Sequence, residues 1–365
     1  MSVHQRLLSL DALRGFDMLF IMGGEGLVCA IAAALGFPGF RNGFGHAAWH
    51  GLHFMDLVFP LFLFMAGVSF PFSLAKSRER GLGNGRIALK ALKRGLVLVF
   101  LGLCCGRLLS FDFAHVRVWS VLGRIGVAWM VAAWLYIGLG VKTRLGIAAG
   151  ILAAVTVVTF LVTAPGAVQP VDPFSQEGNI GCWLDRTLTA GHTYKPLFDP
   201  EGFAGFLPSI VTAMLGMFAG EIVRRGGMAA TLRKAFLLVG CGAACILLGL
   251  ALSFVFPINK ALWSPSFTLV AGGISFVLFA LFYWVVDVRG CRKWTFFFAV
   301  IGMNSITIYM AQRVIGFRGA RDFLFGGLAS LFPEAWGAVV LQIGYIAVCW
   351  AFLYFLHRKG VYLKV

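Results

Sequence analysis

Charged residues are scarce in this sequence. Only 13% of its 365 residues are Asp, Glu, Lys or Arg, whereas 59% are hydrophobic and the mean hydropathy is +0.87. A soluble domain needs a larger share of polar residues to cover its surface. The composition therefore excludes an ordinary soluble enzyme and predicts an all-α polytopic membrane protein in contact with membrane lipid.

Cysteine pairs that bind zinc or build disulfide frameworks are also lacking. The eight cysteines lie nearly all in apolar stretches, and none forms a CxxC pair. This pattern is typical of small core residues. A cleavable leader is not expected either, because Asp17 and Glu25 interrupt the first apolar stretch.

Long apolar segments, by contrast, are abundant. A helix needs about 20 residues to cross the hydrocarbon core of a membrane. Windows of this length predict about ten transmembrane helices in a single domain, residues 1–365. They lie at about 15–35, 54–75, 94–113, 119–139, 145–165, 207–223, 235–256, 265–286, 294–313 and 336–356. A segment at about 166–206 is rich in Pro and Gly and is expected to be the one long loop.

The basic residues predict the orientation of these helices. A formal net charge of +16 would suggest nucleic acid in a soluble protein, but Lys and Arg in a membrane protein collect in cytoplasmic segments. With both termini in the cytoplasm, most of the basic residues lie inside: Arg6, Arg14, those of 76–94, Lys142, Arg144, Arg224, Arg225, Arg233, Lys234, Arg289, Arg292, Lys293, Arg358, Lys359 and Lys364. We predict an N-in, C-in topology, an extracytoplasmic 166–206 loop and no nucleic-acid partner.

Some polar and ionisable residues nevertheless fall within the apolar segments. They are Asp17, Glu25, Asp56, Arg107, Arg124, Arg313 and Asn304. Such residues are costly in a bilayer and usually face a bundle interior or a wet cavity. They predict a hydrated cavity. The alternative for each is a structural hydrogen bond between helices or, for the arginines, a side chain that extends to the interface.

Three histidines and a carboxylate are concentrated in HAAWHGLHFMD, residues 46–56. On a helix, His46, His50 and His53 would share one broad face, with Asp56 within a turn of His53. This spacing is compatible with a metal site. However, Gly51 favours a helix start over a regular face, and no other ligand motif accompanies it. We therefore expect no metal, and His50 or His53 as interfacial residues remain the alternative.

Several pieces of the chain resemble one family of membrane enzymes. They run in family order across nearly the whole sequence: RLLSLDALRG (6–15), GHAAWHGLHFMDLVFPLFLFMAG (45–67), VLGRIGVAW (121–129), WLDRTL (183–188), FDPEGFAGFLPSI (198–210), PINKALWSPSFTL (257–269) and GMNSITIYM (302–310). Together they resemble the heparan-α-glucosaminide N-acetyltransferase family of transmembrane acyltransferases.

The resemblance implies that His46 is the active-site histidine. His50 stands where the family commonly has Asn, and His53 stands where it has no histidine, so both are better explained as local variation. Glu25 occupies a place where a member of the family has an active-site Asn. It is therefore expected to be a hydrogen-bond partner or a base in its own right.

The activity implied by the resemblance is acetyl transfer from cytosolic acetyl-CoA to the amine of glucosamine or a related amino sugar outside the cytoplasm. His46 would be the general base, with Glu25 or Asp56 orienting it, although a covalent acetyl-histidine remains the alternative. Asn304 would donate to the thioester oxyanion. Other candidates for substrate binding are Asp199, Glu201, Arg124 and Lys260, and those for the CoA phosphates are Lys90, Lys93, Arg94, Arg289 and Lys293.

Two other functions remain open at this point. Buried Glu25 and Asp56 would also suit a proton-coupled transporter for a sugar or a peptidoglycan fragment. An O-acetyltransferase acting on polysaccharide hydroxyls would keep the enzyme class. The absence of a large soluble domain favours a bacterial inner membrane, with the active site open to the periplasm, and the family includes dimers, which implies a homodimer.

Overall fold

The computed structural model describes residues 7–108, 111–167, 170–227 and 229–363. The predicted topology also used Arg6 and Lys364, which lie outside the described residues. Fifteen α-helices follow one another within them: α1 Leu8–Leu19, α2 Glu25–Ala34, α3 Phe40–Phe44, α4 Val58–Glu79, α5 Asn84–Cys105, α6 Val121–Gly138, α7 Val141–Leu161, α8 Ile180–Leu188, α9 Phe206–Arg224, α10 Leu232–Ser253, α11 Pro265–Phe282, α12 Thr295–Met303, α13 Ser305–Val314, α14 Phe317–Ala329 and α15 Glu334–Arg358. The part of the chain that the structure describes is therefore all-helical, as predicted.

Fewer helices than predicted are suited to cross a membrane. Among the described residues, eight helical stretches are long and apolar enough, and α12 with α13 would form a ninth although the pair is bent by 67°. The window at 94–113 accounts for the difference from ten. It falls on α5, whose first half carries Arg86, Lys90, Lys93 and Arg94, and residues 109 and 110 of the window lie outside the described part.

Connections from distant parts of the chain meet at one end of the bundle, which we call the loop end: residues 35–57, 106–108, 111–120, 162–167, 170–205 and 254–264. The backbone N–H of Gly51 donates to the carbonyl of Ile258 over 2.8 Å. The indole N–H of Trp49 donates to the carbonyl of Phe174 over 2.8 Å. The loop end is therefore a folded layer on top of the helices.

Glycines allow the central helices to approach one another closely. A Cβ atom on Gly15 of α1 would collide with the carbonyl of Phe298 in α12, and one on Gly67 of α4 would collide with the carbonyl of Ala213 in α9. Small residues at such crossings are typical of helix packing in membranes. This packing fixes α1, which leads through a π-helical turn to Glu25, and α4, which begins two residues after Asp56.

The first membrane-spanning stretch, Leu8–Ala34, is broken near its middle. A π-helical turn at Phe20–Gly24 joins α1 to α2, and Gly23 within it has φ 123°. That backbone conformation favours glycine. The break redirects the helix and places Glu25 at the start of α2.

Candidate active site

Asp56 organises the segment that carries His46. It ends the short 3-10 helix Phe54–Asp56 before α4 and is 1% exposed. One carboxylate oxygen, Oδ2, accepts from the backbone N–H groups of Ala47 over 3.1 Å and His53 over 3.0 Å. The other, Oδ1, lies 2.8 Å from Nδ1 of His46. The carboxylate therefore folds residues 46–56 around itself and orients the His46 ring.

The contact with Asp56 fixes the tautomer of the His46 ring. An ionised carboxylate only accepts hydrogen bonds, so Nδ1 of His46 carries the proton that faces Asp56. In the neutral ring Nε2 then has a free lone pair. The His46 side chain is 57% exposed, so Nε2 is accessible to a substrate.

Lys260 approaches the same pair from the loop between α10 and α11. Its Nζ lies 3.5 Å from Oδ1 of Asp56 and 3.1 Å from Nδ1 of His46. Nδ1 cannot donate to Asp56 and accept from Lys260 at the same time, so we assign Lys260 as the ion-pair partner of the carboxylate. Burial lowers the pKa of Lys260, and the charges of Asp56 and Glu201 offset only part of this effect.

A cavity of about 300 Å³ opens beside these residues, between α1, α4, α6 and α13. Its wall combines a few polar groups with a large apolar area. The polar and ionisable members are Glu25, His46, Glu201, Lys260, Ser305 and Tyr309. The apolar members are Met18, Phe20, Ile21, Met55, Val58, Phe59, Phe62, Val121, Leu122, Ile125 and Ile306. Four sequence-predicted site residues, Glu25, His46, Glu201 and Lys260, therefore line one cavity.

Asp199 and Glu201 are held by Arg117, a residue that the sequence did not indicate. The Arg117 guanidinium donates to Oδ2 of Asp199 over 2.8 Å and also bonds to Glu201. Burial lowers the pKa of Arg117. The hydrogen bond and charge of Asp199 and the charge of Glu201 together raise it by more, so the pKa lies above its usual value. Asp199, 1% exposed, also accepts from the backbone N–H groups of Tyr194 and Glu201 over 2.8 and 2.9 Å. Asp199 thus lies beneath the cavity wall, and Glu201 reaches it.

Arg124 lies behind the cavity. Its guanidinium donates to the carbonyl of Gly202 over 2.6 Å and lies 5.2 Å from the centre of the Trp263 ring. It is 4% exposed and does not line the cavity. Arg124 thus tethers the 162–205 connection to α6.

Asn304 lies at the break between α12 and α13. It is 2% exposed, and among the described residues neither Oδ1 nor Nδ2 of its side chain has a hydrogen-bond partner. The next two residues, Ser305 and Ile306, line the cavity. The amide therefore lies just below the cavity wall.

The sequence is similar to two known proteins of the same name. No family model matches the chain. It is 29% identical over 383 residues to human heparan-α-glucosaminide N-acetyltransferase, an alignment that covers 85% of this chain and 53% of the human protein. The mouse protein of the same name is 30% identical over 332 residues, covering 74% of this chain and 49% of the relative.

The chain is a distant homologue of heparan-α-glucosaminide N-acetyltransferase. The resemblance found in the sequence is thereby confirmed. The chain spans about half the length of the curated relatives it matches.

His50 and His53, the other histidines of residues 46–56, do not line the cavity. Nδ1 of His50 lies 3.3 Å from Nδ2 of Asn259, and burial lowers the pKa of His50 while the charge of Asp172 opposes this. His53 contributes its backbone N–H to Asp56. In the described part of the chain, no group of three or more His, Cys, Asp or Glu side chains is arranged to hold a metal ion.

The basic residues predicted to hold the CoA phosphates lie away from the cavity wall. Lys90, Lys93 and Arg94 are in the first half of α5, and Arg94 lies 4.2 Å from the centre of the Trp129 ring. Arg289 and Lys293 lie in the connection between α11 and α12. Both groups are on the opposite side of the bundle from the loop end.

Proposed function

We propose that the chain is a transmembrane N-acetyltransferase that moves acetyl from cytosolic acetyl-CoA to the amine of glucosamine or a related amino sugar outside the cytoplasm. The observation that carries the proposal is the 2.8 Å contact between His46 and Asp56 at the edge of a cavity lined by Glu25, Glu201 and Lys260. The distant homology to an N-acetyltransferase supports the reaction class.

In this mechanism His46 is the general base. Attack on a thioester requires a neutral amine, and Nε2 of His46 accepts the proton that the amine loses as the new C–N bond forms. Asp56 holds the ring in the required tautomer and stabilises the imidazolium, so that it is a positioning residue. The C–S bond then breaks, and the thiolate of CoA takes the proton from Nε2. A positioned base of this kind contributes about 10²- to 10⁴-fold to the rate.

Lys260 supplies positive charge where the thioester oxygen becomes negative. Its side chain lines the cavity beside His46, and a fixed cation at a developing oxyanion is worth more in an apolar cavity than in water. Asn304, which the sequence suggested for this role, is buried at the helix break. It would contribute only by turning its amide toward Ser305 and the cavity.

Glu25 and Glu201 are the proposed contacts for the amino sugar. Carboxylates accept hydrogen bonds from both the ammonium and the hydroxyl groups of such a ligand. Asp199 assists indirectly, because it fixes Arg117 and Arg117 in turn fixes Glu201. Arg124 assists through its bond to Gly202, next to Glu201 in the chain.

Acetyl-CoA would span the bundle from the opposite side. The 22 residues of α5 correspond to about 33 Å of helix, which is the scale of the distance between the two sides of the bundle. The nucleotide would stay on the side of the basic residues, and the extended pantetheine arm would carry the thioester toward the His46 cavity. Lys90, Lys93 and Arg94 are the first candidates for the nucleotide phosphates, with Arg289 and Lys293 as a second group. Basic side chains suit phosphates because charge-assisted hydrogen bonds are strong.

The proposal includes an orientation and an assembly. Both termini would lie in the cytoplasm of a bacterium and the loop end in the periplasm, in agreement with the distribution of Lys and Arg. The working unit would be a homodimer in the inner membrane.

The reaction is tested with the purified full chain in detergent, labelled acetyl-CoA, and glucosamine or glucose as acceptor. N-acetylglucosamine as the product of the first mixture supports the proposal. Transfer to the hydroxyls of both sugars alike would make the chain an O-acetyltransferase. No product, together with no increase in melting temperature on addition of CoA, would contradict acetyl transfer and favour the transporter, since a bound ligand stabilises the native state.

A further inference from the structure

A second cavity lies beside the His46 cavity. Its volume is about 590 Å³, and it is formed by the π-helical turn after α1, the end of α13, the start of α14, and α15. Its lining residues are Ile21, Tyr309, Gln312, Arg313, Val314, Ile315, Gly316, Phe317, Arg318 and Tyr345. Neither the proposed acetyl transfer nor the sequence motifs use the part of this cavity around α14.

The cavity has two cationic side chains and no acidic one. Arg313 lies in the last turn of α13 and Arg318 in the first turn of α14, and both are exposed. Among the described residues, none of the ion pairs includes Arg313 or Arg318. The N-terminus of α14, a helix of 13 residues, adds a partial positive charge on the same side. Such an arrangement favours an anion with several oxygen acceptors.

The polar wall of the cavity is held in place by hydrogen bonds. Nε2 of Gln312 donates to the hydroxyl of Tyr345 over 3.0 Å and to the carbonyl of Ile21 over 3.4 Å. Gly23 allows this contact, because a Cβ atom there would lie 3.0 Å from the Tyr345 ring. Ile21 and Tyr309 line both cavities, so the two sites share one wall.

Apolar residues surround the two arginines. Val314 is 70% exposed and Ile315 is 42% exposed, and both line the cavity between Arg313 and Arg318 in the chain. In a membrane protein, exposed apolar side chains next to arginines are typical of the level at which lipid phosphates meet the hydrocarbon.

We propose that this second cavity is a phosphate-binding site. Arg313 and Arg318 donate hydrogen bonds to the phosphate oxygens, and the apolar rim contacts the rest of the ligand. The phosphate is either that of a membrane phospholipid headgroup or a free phosphate. The exposed rim at Val314 and Ile315 makes the lipid the expected source.

The test measures thermal stability of the purified full chain in a non-ionic detergent at constant ionic strength. Three probes are titrated: dihexanoyl phosphatidic acid, dihexanoylglycerol with the same tails but no phosphate, and inorganic phosphate. The variants are Arg313→Gln, Arg318→Gln and the double substitution. Arg321→Gln is the matched control, because Arg321 is on α14 but pairs with Asp322 at 2.6 Å and does not line the cavity.

We expect phosphatidic acid to raise the melting temperature in a saturable way and dihexanoylglycerol to have no effect. Each cavity substitution should weaken the apparent Kd about tenfold or more, as expected for the loss of a charge-assisted hydrogen bond, and Arg321→Gln should leave it unchanged. Saturable stabilisation by inorganic phosphate alone, lost in the double variant, would identify a free phosphate as the ligand. The proposal is wrong if neither phosphate-bearing probe binds, or if the double variant binds them as the native chain does.

Discussion

The guanidinium of Arg117 grips the buried carboxylate of Asp199, 82 residues away in the chain. Only 25% of the Arg117 side chain is exposed, and the Asp199 side chain is completely buried. The same guanidinium also bonds to Glu201, which lines the cavity. One ion pair therefore links the fold of the loop end to the wall of the candidate active site.

Removing Arg117 should destabilise the loop end. Arg117→Met leaves Asp199 buried without its cation, and breaking a buried pair from one side costs about 3–5 kcal/mol. We expect a clear fall in the melting temperature measured by intrinsic tryptophan fluorescence. Arg107→Met is the control, because Arg107 pairs with Asp112 at the surface, where 66% and 39% of the two side chains are exposed, and surface pairs contribute about 0–1 kcal/mol. Equal effects of the two substitutions would contradict this role of Arg117.

The sequence identified a site residue when its partner is close to it in the chain, and missed one when its partner is far away in the chain. His46 and Asp56 are only ten residues apart and lie in one continuous motif, so the pair was predictable. The geometry of the pair was not predictable, because residues 46–53 form a loop and not a helix. The Asp56 carboxylate holds this loop through two backbone N–H groups and so positions the histidine. Arg117 was missed because its partners come from another connection, and nothing in its local sequence indicates them.

The helix count shows a similar limit. Composition identified most of the apolar helices, but α5 was counted as a span from its apolar second half alone. The bend of 67° at Asn304 leaves no mark in hydropathy averaged over a membrane-spanning window, because α12 and α13 together are apolar enough to pass as one span. Such features depend on packing between helices, which a single sequence does not report.

Asp56→Asn should reduce turnover while leaving acetyl-CoA bound. The amide oxygen of Asn can keep the two backbone N–H bonds that Oδ2 of Asp56 accepts. Its nitrogen then faces Nδ1 of His46 and cannot accept from it, so the His46 ring loses its fixed tautomer. We expect kcat to fall about 10²-fold or more. Kinetics with glucosamine, together with the shift in melting temperature on adding CoA, would measure both effects. Native kcat in this variant would remove Asp56 from the mechanism.

Lys260 should give the reaction an alkaline limit. Burial lowers the pKa of Lys260 below the usual 10.5. The lysine is charged below its folded pKa and neutral above it, so stabilisation of the oxyanion is present at lower pH and is lost as the pH rises. We expect kcat/KM to decline at a pH below 10.5. In Lys260→Arg this decline should disappear, because arginine stays charged, whereas an unchanged pH profile would assign the decline to another group.

Glu25 should matter for cationic acceptors. Glu25→Gln keeps the shape of the side chain and removes its charge from the cavity, so the ammonium form of glucosamine loses an attractive partner. We expect the KM for glucosamine to rise about tenfold, as for the loss of one charge-assisted bond, with little change in the KM for acetyl-CoA. Glu334→Gln, at the start of α15 and outside the cavity wall, is the control. A fall in kcat with unchanged KM would instead indicate that Glu25 transfers protons.

The most direct measurement of the central claim is the rate of acetyl transfer to glucosamine by the native chain, His46→Ala and His50→Ala, with the binding of acetyl-CoA measured on the same samples. His50 lies in the same segment but outside the cavity wall, so it controls for damage to the loop. The account predicts a loss of about 10²-fold or more in His46→Ala only, with acetyl-CoA still bound by all three proteins. Equal rates in the native chain and His46→Ala would contradict it.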